Sequence, residues 1–236
     1  MRAWTAAILI PFVCTAQDPD PVRSGSKAGQ PMVDVAIAAP RVVVELRYAT
    51  DRNLTKTAIY PSNAKCYVRQ SVADRLNQAQ DWLERKAPKG TRLKVWDAWR
   101  PAWAQERLWK VFPDREYVAH PRDGSLHTWG VAVDVTLVDA KGNDLRMPTD
   151  FDVLTLAART RYTGTDSDVQ HNLDLLQRAM SVAGFLVLHD EWWHFIARDW
   201  KAFAPTNLSL TGGKEPEPVT SEPATPPNIK RPISAR

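Results

Sequence analysis

The stretch that decides the fold runs from Ser125 to Asp134 and reads SLHTWGVAVD. Its first half is a polar turn that contains His127 and closes at Gly130. Its second half begins an apolar, β-branched run that predicts a strand over Val131–Val138. A carboxylate inside such a strand is costly to bury unless its charge is compensated. Either a metal cation or a salt bridge to an arginine would compensate Asp134.

A second unusual stretch runs from Glu191 to Phe195 and reads EWWHF. It places a carboxylate three residues before His194, among bulky aromatic side chains. The two side chains would share a face on a helix but would point apart on a straight strand. We therefore expect Glu191 to end a turn and His194 to begin a strand. Purely structural roles for His194 and Glu191 stay open, since a histidine is often a core residue and a glutamate in a turn is often solvated.

The two stretches together offer a set of metal ligands. His127, Asp134 and His194 provide two imidazoles and one carboxylate, which is the ligand set of a catalytic zinc site with an open fourth position. Glu191 then remains as a non-ligand that can accept a proton from water, whose pKa a bound zinc lowers to about 7. The expectation is one zinc ion per chain.

Two further residues could surround such a site. Arg100 follows a predicted strand and is held extended by Pro101, so it could meet the oxyanion of an acyl-transfer transition state. A surface salt bridge is the alternative role for Arg100. Asp152 could bind a cationic group, or it could be a first-turn acid of a helix predicted over Thr149–Arg161.

The remaining patterns predict a mixture of helices and short strands. Because they do not alternate strictly, we expect an α+β fold with a small central antiparallel sheet, flanking helices and a single domain. The predicted helices are Arg69–Ala87, Pro101–Phe112 and Asp168–Ala183, and the other predicted strands are Val42–Arg47, Arg92–Trp96, Phe185–Leu188 and Trp192–Ala197.

The two ends of the chain differ in composition from its middle. Residues 1–16 combine a positive start, a short apolar run and small residues, which predicts a signal peptide cleaved after Ala16 and export, to the periplasm in a double-membraned bacterium. A buried N-terminal segment is the alternative, and acylation of Cys14 as a lipoprotein is disfavoured by the bulky Val13. Residues 17–32 read as a linker, 33–204 as the domain and 205–236 as a disordered proline-rich tail.

Overall composition excludes several functional classes. The 31 Lys+Arg against 27 Asp+Glu give a net charge of only +4, which does not indicate a nucleic-acid partner. No internal apolar run is long enough for a transmembrane anchor. The 2 cysteines cannot form a disulfide framework, and Cys66 would be alone after processing. The oligomeric state is not indicated.

These stretches resemble the zinc-dependent D-alanyl-D-alanine dipeptidase family. The pattern Ser-x-His-x-x-Gly-x-Ala-x-Asp, met from Ser125 to Asp134, is shared with D,D-carboxypeptidases, phage endolysin peptidases and Hedgehog-type domains. The stretch Glu191–Phe195 narrows the resemblance to the dipeptidase branch, as do the LRYAT, AKCY and WDAWRP segments, and the likeness extends over residues 42–203. Departures at Asn53–Lys56 and Met147–Asp150 affect the rim of the pocket.

The resemblance implies a function and a role for each site residue. The substrate would be a small free dipeptide, D-Ala-D-Ala, and the fold would be α+β. A secreted D,D-carboxypeptidase or L,D-endopeptidase acting on peptidoglycan stem peptides is an alternative, and so is a zinc-stabilised binding module without turnover. The implied roles are metal ligands at His127, Asp134 and His194, a general base at Glu191, oxyanion stabilisation by Arg100, and substrate binding by Asp152, Tyr48 and Ser125.

Overall fold

The computed structural model of the protein describes residues 29–212. Within this range the chain forms four α-helices and two β-sheets around one hydrophobic core, which confirms the expected α+β class. The predicted signal peptide with its cleavage site, most of the predicted linker and the proline-rich part of the predicted tail lie outside the described residues. No helix within residues 29–212 is long and apolar enough to cross a membrane.

The larger sheet has five strands and carries Asp134 and His194. Its pairs are antiparallel, as expected, except that the short strand β2 (Val43–Val44) runs parallel to β4 (Arg92–Asp97). The strands are β1 (Met32–Asp34), β2 (Val43–Val44), β3 (Tyr67–Arg69), β4 (Arg92–Asp97), β5 (Ala132–Val138), β6 (Phe185–Val187) and β7 (His194–Ala197). The five-stranded sheet has the order β2-β4-β5-β7-β6, and β1 pairs with β3 in a separate two-stranded sheet.

The helices flank the sheet close to the predicted positions. They are α1 (Val35–Ala38), α2 (Gln70–Lys86), α3 (Ala102–Val111) and α4 (Ser167–Val182). Helix α2 buries Val72, Leu76 and Leu83, an apolar stripe at helical spacing, and packs on α4 and on β4. Burial of this stripe against the sheet explains why the helix could be read from the sequence.

One predicted helix is absent from the structure. Residues 149–161 were expected to be helical, but they form turns and a single 3₁₀ turn over Leu156–Ala158. The side chain of Thr149 does not cap a helix, because its Oγ1 accepts a hydrogen bond from Trp192 Nε1 at 3.0 Å. Asp152 has a φ of 58°, in the left-handed region, which a right-handed helix cannot accommodate. Tertiary contacts therefore override the local helical preference.

The packed chain also extends past the predicted domain boundaries. At the start, Met32 pairs with Arg69, so strand β1 begins inside the predicted linker. At the end, Leu210 has no exposed surface, and its carbonyl accepts a hydrogen bond from the Lys65 amide at 2.8 Å. The boundary expected at residue 204 is therefore too early, since residues 205–212 pack against the domain.

The packed C-terminal segment, residues 204–212, lies against the turn that contains His127. The Thr206 amide donates a hydrogen bond to the Thr128 carbonyl at 3.1 Å. The indole Nε1 of Trp99 donates to the carbonyls of Thr128 and Thr206, at 3.1 and 3.3 Å. The segment therefore contacts the turn through the Thr128 carbonyl and through the Trp99 indole.

Candidate metal centre and its cavity

Strand register places three chemically important residues in one row across the sheet. Asp97 on β4 pairs with Asp134 on β5, and Asp134 pairs with His194 on β7. Glu191 lies in the turn that precedes β7, so the expectation that His194 begins a strand is confirmed. The row explains how residues far apart in sequence meet at one site.

The turn before β5 brings His127 to the same row. Gly130 ends this turn with a φ of 72°, and its amide donates a hydrogen bond to the His127 carbonyl at 2.9 Å. A Cβ at this position would lie 2.6 Å from Cε of Met32, so a larger residue would clash as well as strain the backbone. The positive φ is therefore the main reason for a glycine here, because the end of the flexible Met32 side chain can move aside.

The donor atoms of His127, Asp134 and His194 converge within 4.8 Å of one another. His127 Nε2 lies 3.1 Å from His194 Nδ1 and 3.4 Å from Asp134 Oδ1, and His194 Nδ1 lies 2.8 Å from Asp134 Oδ1. Burial alone would raise the pKa of Asp134, but the two imidazoles hold it well below its usual range. Two nitrogens and a carboxylate oxygen at this separation fit the ligand set of a catalytic zinc ion.

A hydrogen bond outside the cluster supports this fit. The Nδ1 of His127 lies 2.7 Å from the carbonyl of Ala98, which can only accept a hydrogen bond. The proton of this imidazole is therefore on Nδ1, and the lone pair of Nε2 is directed at the cluster. Metal-binding histidines are oriented in this way by a partner for the second ring nitrogen.

Glu191 lines the same cavity as the cluster but contributes no donor atom to it. Its side chain is half-buried. Burial raises the pKa of Glu191 to about 8, and the carboxylates of Asp134 and Asp152 act in the same direction against the opposing charges of His194 and Arg100. A carboxyl group with this affinity for a proton can both take and return one near neutral pH.

Arg100 is buried and held on three sides. Its Nε and Nη2 donate to Asp97 Oδ2 at 2.9 and 2.8 Å, and its Nη1 donates to Gln105 Oε1 at 2.8 Å. The guanidinium carbon lies 5.0 Å from the centre of the Tyr48 ring. The alternative role as a surface salt bridge is therefore wrong. Arg100 Nη2 also lies 3.6 Å from Asp134 Oδ2, so the arginine contributes to the compensation of that buried charge.

Asp152 lines the cavity rather than lying in a helix. The Tyr48 hydroxyl donates to Asp152 Oδ1 at 3.4 Å, and the Leu54 amide donates to Asp152 Oδ2 at 2.9 Å. Burial raises the pKa of Asp152 to about 7. The left-handed backbone of this residue is a strained conformation that such contacts must hold in place.

The cavity has a volume of about 380 Å³ and connects all the residues proposed from the sequence. Ser125 lines it, and its Oγ accepts a hydrogen bond from the His127 amide at 3.3 Å. One wall is the segment Arg115–Gly124, which contains no helix or strand. We call this segment the cavity wall.

Sequence reasoning missed several residues around the site. Asp97 was visible three residues before Arg100 but was given no role, and Gln105 appeared to be an ordinary helix residue. The cavity wall carries no periodic pattern that could have identified it. His120 and His189, which have no motif around them, also line the cavity.

The chain is similar to known peptidases. A peptidase M15 family model described as "D-ala-D-ala dipeptidase" matches residues 28–207. The chain is 35% identical over 164 residues to a D-alanyl-D-alanine dipeptidase of Escherichia coli K12, an alignment that covers 70% of this chain and 83% of the relative. It is 28% identical over 182 residues to a D-alanyl-D-alanine dipeptidase of Synechocystis, which covers 60% of this chain and 73% of the relative.

Proposed function

Because this chain belongs to the D-Ala-D-Ala dipeptidase family of peptidases, we propose that it hydrolyses the free dipeptide D-Ala-D-Ala to D-alanine with one zinc ion per chain. One observation carries the proposal. The donor atoms of His127, Asp134 and His194 converge in a cavity that Glu191 and Arg100 also line. A binding module without turnover would have no need of Glu191 and Arg100 in this cavity.

The metal would be held by His127, Asp134 and His194. Zinc in such a site supplies a Lewis acid and lowers the pKa of bound water. The second ring nitrogen of His127 is already paired with Ala98, so its free nitrogen needs no reorientation to bind an ion.

Glu191 moves the protons in this proposal. Its carboxylate takes a proton from the attacking water and then delivers it to the amine that leaves when the peptide bond breaks. Its position in the turn before β7 keeps it beside His194 without making it a ligand.

Arg100 meets the negative charge that develops on the oxygen of the scissile carbonyl. Asp97 and Gln105 hold its guanidinium in a buried position, so little reorganisation is needed as the charge forms. Removal of one such donor costs on the order of 10²–10³ in kcat in other hydrolases.

Asp152 selects a substrate with a free amino group. Within residues 29–212 the hydrogen bonds to this half-buried carboxylate come from Tyr48 and Leu54, and it gains a direct ion-pair partner when an ammonium group binds. A substrate that lacks this group leaves the acid without its charge partner, and such a mismatch is strongly discriminated against. The selection would restrict the enzyme to dipeptides and exclude longer stem peptides.

The test combines metal analysis with a substrate comparison. Purified protein should contain about one zinc per chain, release D-alanine from D-Ala-D-Ala, and leave N-acetyl-D-Ala-D-Ala and a stem pentapeptide intact. Cleavage of the pentapeptide at a similar rate would instead indicate a carboxypeptidase, and zinc without any turnover would indicate a binding module. Either result would overturn the proposal.

Glu191→Gln separates the role of this residue from metal binding. We expect turnover to be abolished while the zinc content stays unchanged. Glu116→Gln is the matched control, because Glu116 is an exposed carboxylate on the same cavity, and it should keep its activity. Loss of zinc in Glu191→Gln would make Glu191 a ligand and contradict its proposed role.

Export completes the proposal. The composition of residues 1–16 supports a signal peptide cleaved after Ala16, with the mature enzyme in the periplasm of a double-membraned bacterium. N-terminal sequencing of the mature protein from an osmotic-shock fraction should begin at Gln17. A protein that starts at Met1 and stays with the cytosolic fraction would contradict this.

A further inference from the structure

Gln105 on helix α3 uses both ends of its side chain in hydrogen bonds. Its Oε1 accepts from Arg100 Nη1 at 2.8 Å, and its Nε2 donates to the Ala119 carbonyl at 2.7 Å. The residue is only 2% exposed. A buried amide with both groups paired in this way links two parts of the structure in a fixed orientation.

The two partners of Gln105 belong to different parts of the site. Arg100 follows strand β4 and faces the cluster of His127, Asp134 and His194, whereas Ala119 belongs to the cavity wall, Arg115–Gly124. Within the wall, Val118 is buried and His120 packs on the ring of Trp109 at 4.6 Å. Gln105 is thus a direct polar connection between the wall and the guanidinium of Arg100.

The chemistry of the amide leaves it one orientation. A flipped amide would direct its NH₂ group at the N–H of Arg100 and its oxygen at the carbonyl oxygen of Ala119, and both contacts would be repulsive. The hydrogen bond to the wall therefore turns the amide oxygen of Gln105 towards Arg100. In turn, the amide oxygen fixes Nη1, while Asp97 fixes only the opposite edge of the guanidinium.

We propose that Gln105 is a positioning residue that aligns the Arg100 guanidinium for the transition state and is itself oriented by the cavity wall. The inference rests on the proposed function, because it assigns to Arg100 the stabilisation of the oxyanion. A displacement of about 1 Å at a catalytic group can cost on the order of 10²-fold in rate. The role of Gln105 should therefore be visible mainly in kcat.

Two substitutions separate the contributions of the amide. Gln105→Met keeps the approximate volume and removes both hydrogen bonds. Gln105→Glu keeps an acceptor for Arg100 but sets a second carboxylate oxygen against the Ala119 carbonyl, so it loses the contact with the wall. We expect Gln105→Met to lower kcat for D-Ala-D-Ala by roughly tenfold to hundredfold with KM changed less than about threefold, and Gln105→Glu to lower kcat as well, because the wall no longer orients the acceptor.

Gln80 on helix α2 provides a matched control. It is a buried glutamine whose Oε1 accepts from the Leu93 amide at 2.9 Å and whose Nε2 donates to the Thr91 carbonyl at 3.2 Å, and it does not line the cavity. Gln80→Met should lower the melting temperature by an amount similar to Gln105→Met and leave kcat per folded molecule unchanged. A merely structural role for Gln105 would give the two variants the same kinetic behaviour.

The outcomes distinguish this inference from the proposed function. If the wild type does not hydrolyse D-Ala-D-Ala, the proposed function fails before any variant is compared. If the wild type is active and either Gln105→Met or Gln105→Glu keeps the wild-type kcat, only the inference is overturned. Zinc content and thermal unfolding are measured on every variant, so a loss of metal or of folded protein is recognised directly.

Discussion

Replacing Leu210 by alanine tests whether residues 204–212 belong to the folded domain. Leu210 has no exposed surface, and it lies in the main core cluster although it falls within the segment whose composition predicts a disordered tail. A buried leucine truncated to alanine loses its transfer free energy and leaves a cavity, which together cost about 2–5 kcal/mol. The backbone hydrogen bond from Lys65 to the Leu210 carbonyl is kept in this variant, so the loss reports on the side chain.

The expected magnitude can be converted into a melting temperature. For a domain of this size, 1 kcal/mol corresponds to about 2–4 °C, so a loss of about 3 kcal/mol lowers Tm by roughly 6–12 °C. Leu156→Ala is the matched control, since Leu156 is 69% exposed and its truncation should change the free energy of unfolding by no more than about 0.5 kcal/mol.

Urea unfolding followed by tryptophan fluorescence measures both variants. A chelator is present throughout, so that metal binding does not add to the stability of either variant. If Leu210→Ala unfolds at the same urea concentration as Leu156→Ala, residues 204–212 contribute no packing energy and the reasoning is refuted. A chain that ends at Ala204 should be at least as destabilised as Leu210→Ala.

Three other variants test separate parts of the structure. Asp152→Asn should lower kcat/KM for free D-Ala-D-Ala by roughly 10²-fold and reduce the discrimination against N-acetyl-D-Ala-D-Ala, which a comparison of the two substrates measures; an unchanged ratio would contradict amine binding. Gly130→Ala should destabilise the protein by about 1–3 kcal/mol, because it strains a residue in the left-handed region, and a wild-type Tm would refute this. Burial alone would raise the pKa of Glu45, but Lys94 and neighbouring arginines lower it below its unfolded value. The folded state therefore binds fewer protons than the unfolded state, and the ion pairs of Glu45 stabilise the fold above the unfolded pKa. The stability advantage of the wild type over Glu45→Gln should therefore shrink as pH falls through the folded pKa of Glu45, and an advantage that grows in acid would contradict this sign.

The three residues proposed as metal ligands could be brought together from the sequence because local patterns determine their positions. Strand alternation places Asp134 inside β5, and Gly130 marks the turn that contains His127. Residues three apart on a straight strand point to opposite faces, so Glu191 was placed in a turn and His194 at the start of a strand. Each of these inferences depends on a few adjacent residues.

The surroundings of the ligands depend on contacts between distant segments and were harder to predict. Thr149–Arg161 has the composition of a helix, but Asp152 and Thr149 are taken up by partners on other elements. Leu210 lies in a polar, proline-containing segment whose composition predicts disorder, although this one side chain is well packed. Gln105 sits on a predicted helix, and only the fold shows that it connects Arg100 to the cavity wall.

Asp134 and His194 face each other across one antiparallel strand pair, although 60 residues separate them along the chain. The register of a strand pair does not depend on the length of the connection between the strands, and a longer connection adds little entropic cost. That connection contains Asp152, the residue proposed to choose the substrate. The loop between β5 and α4, residues 139–166, can therefore be lengthened, shortened or rewritten to admit other substrates while Asp134 and His194 stay where they are. Protein engineers who seek a different substrate range should diversify this loop and leave the strand pair, helix α4 and Glu191 untouched.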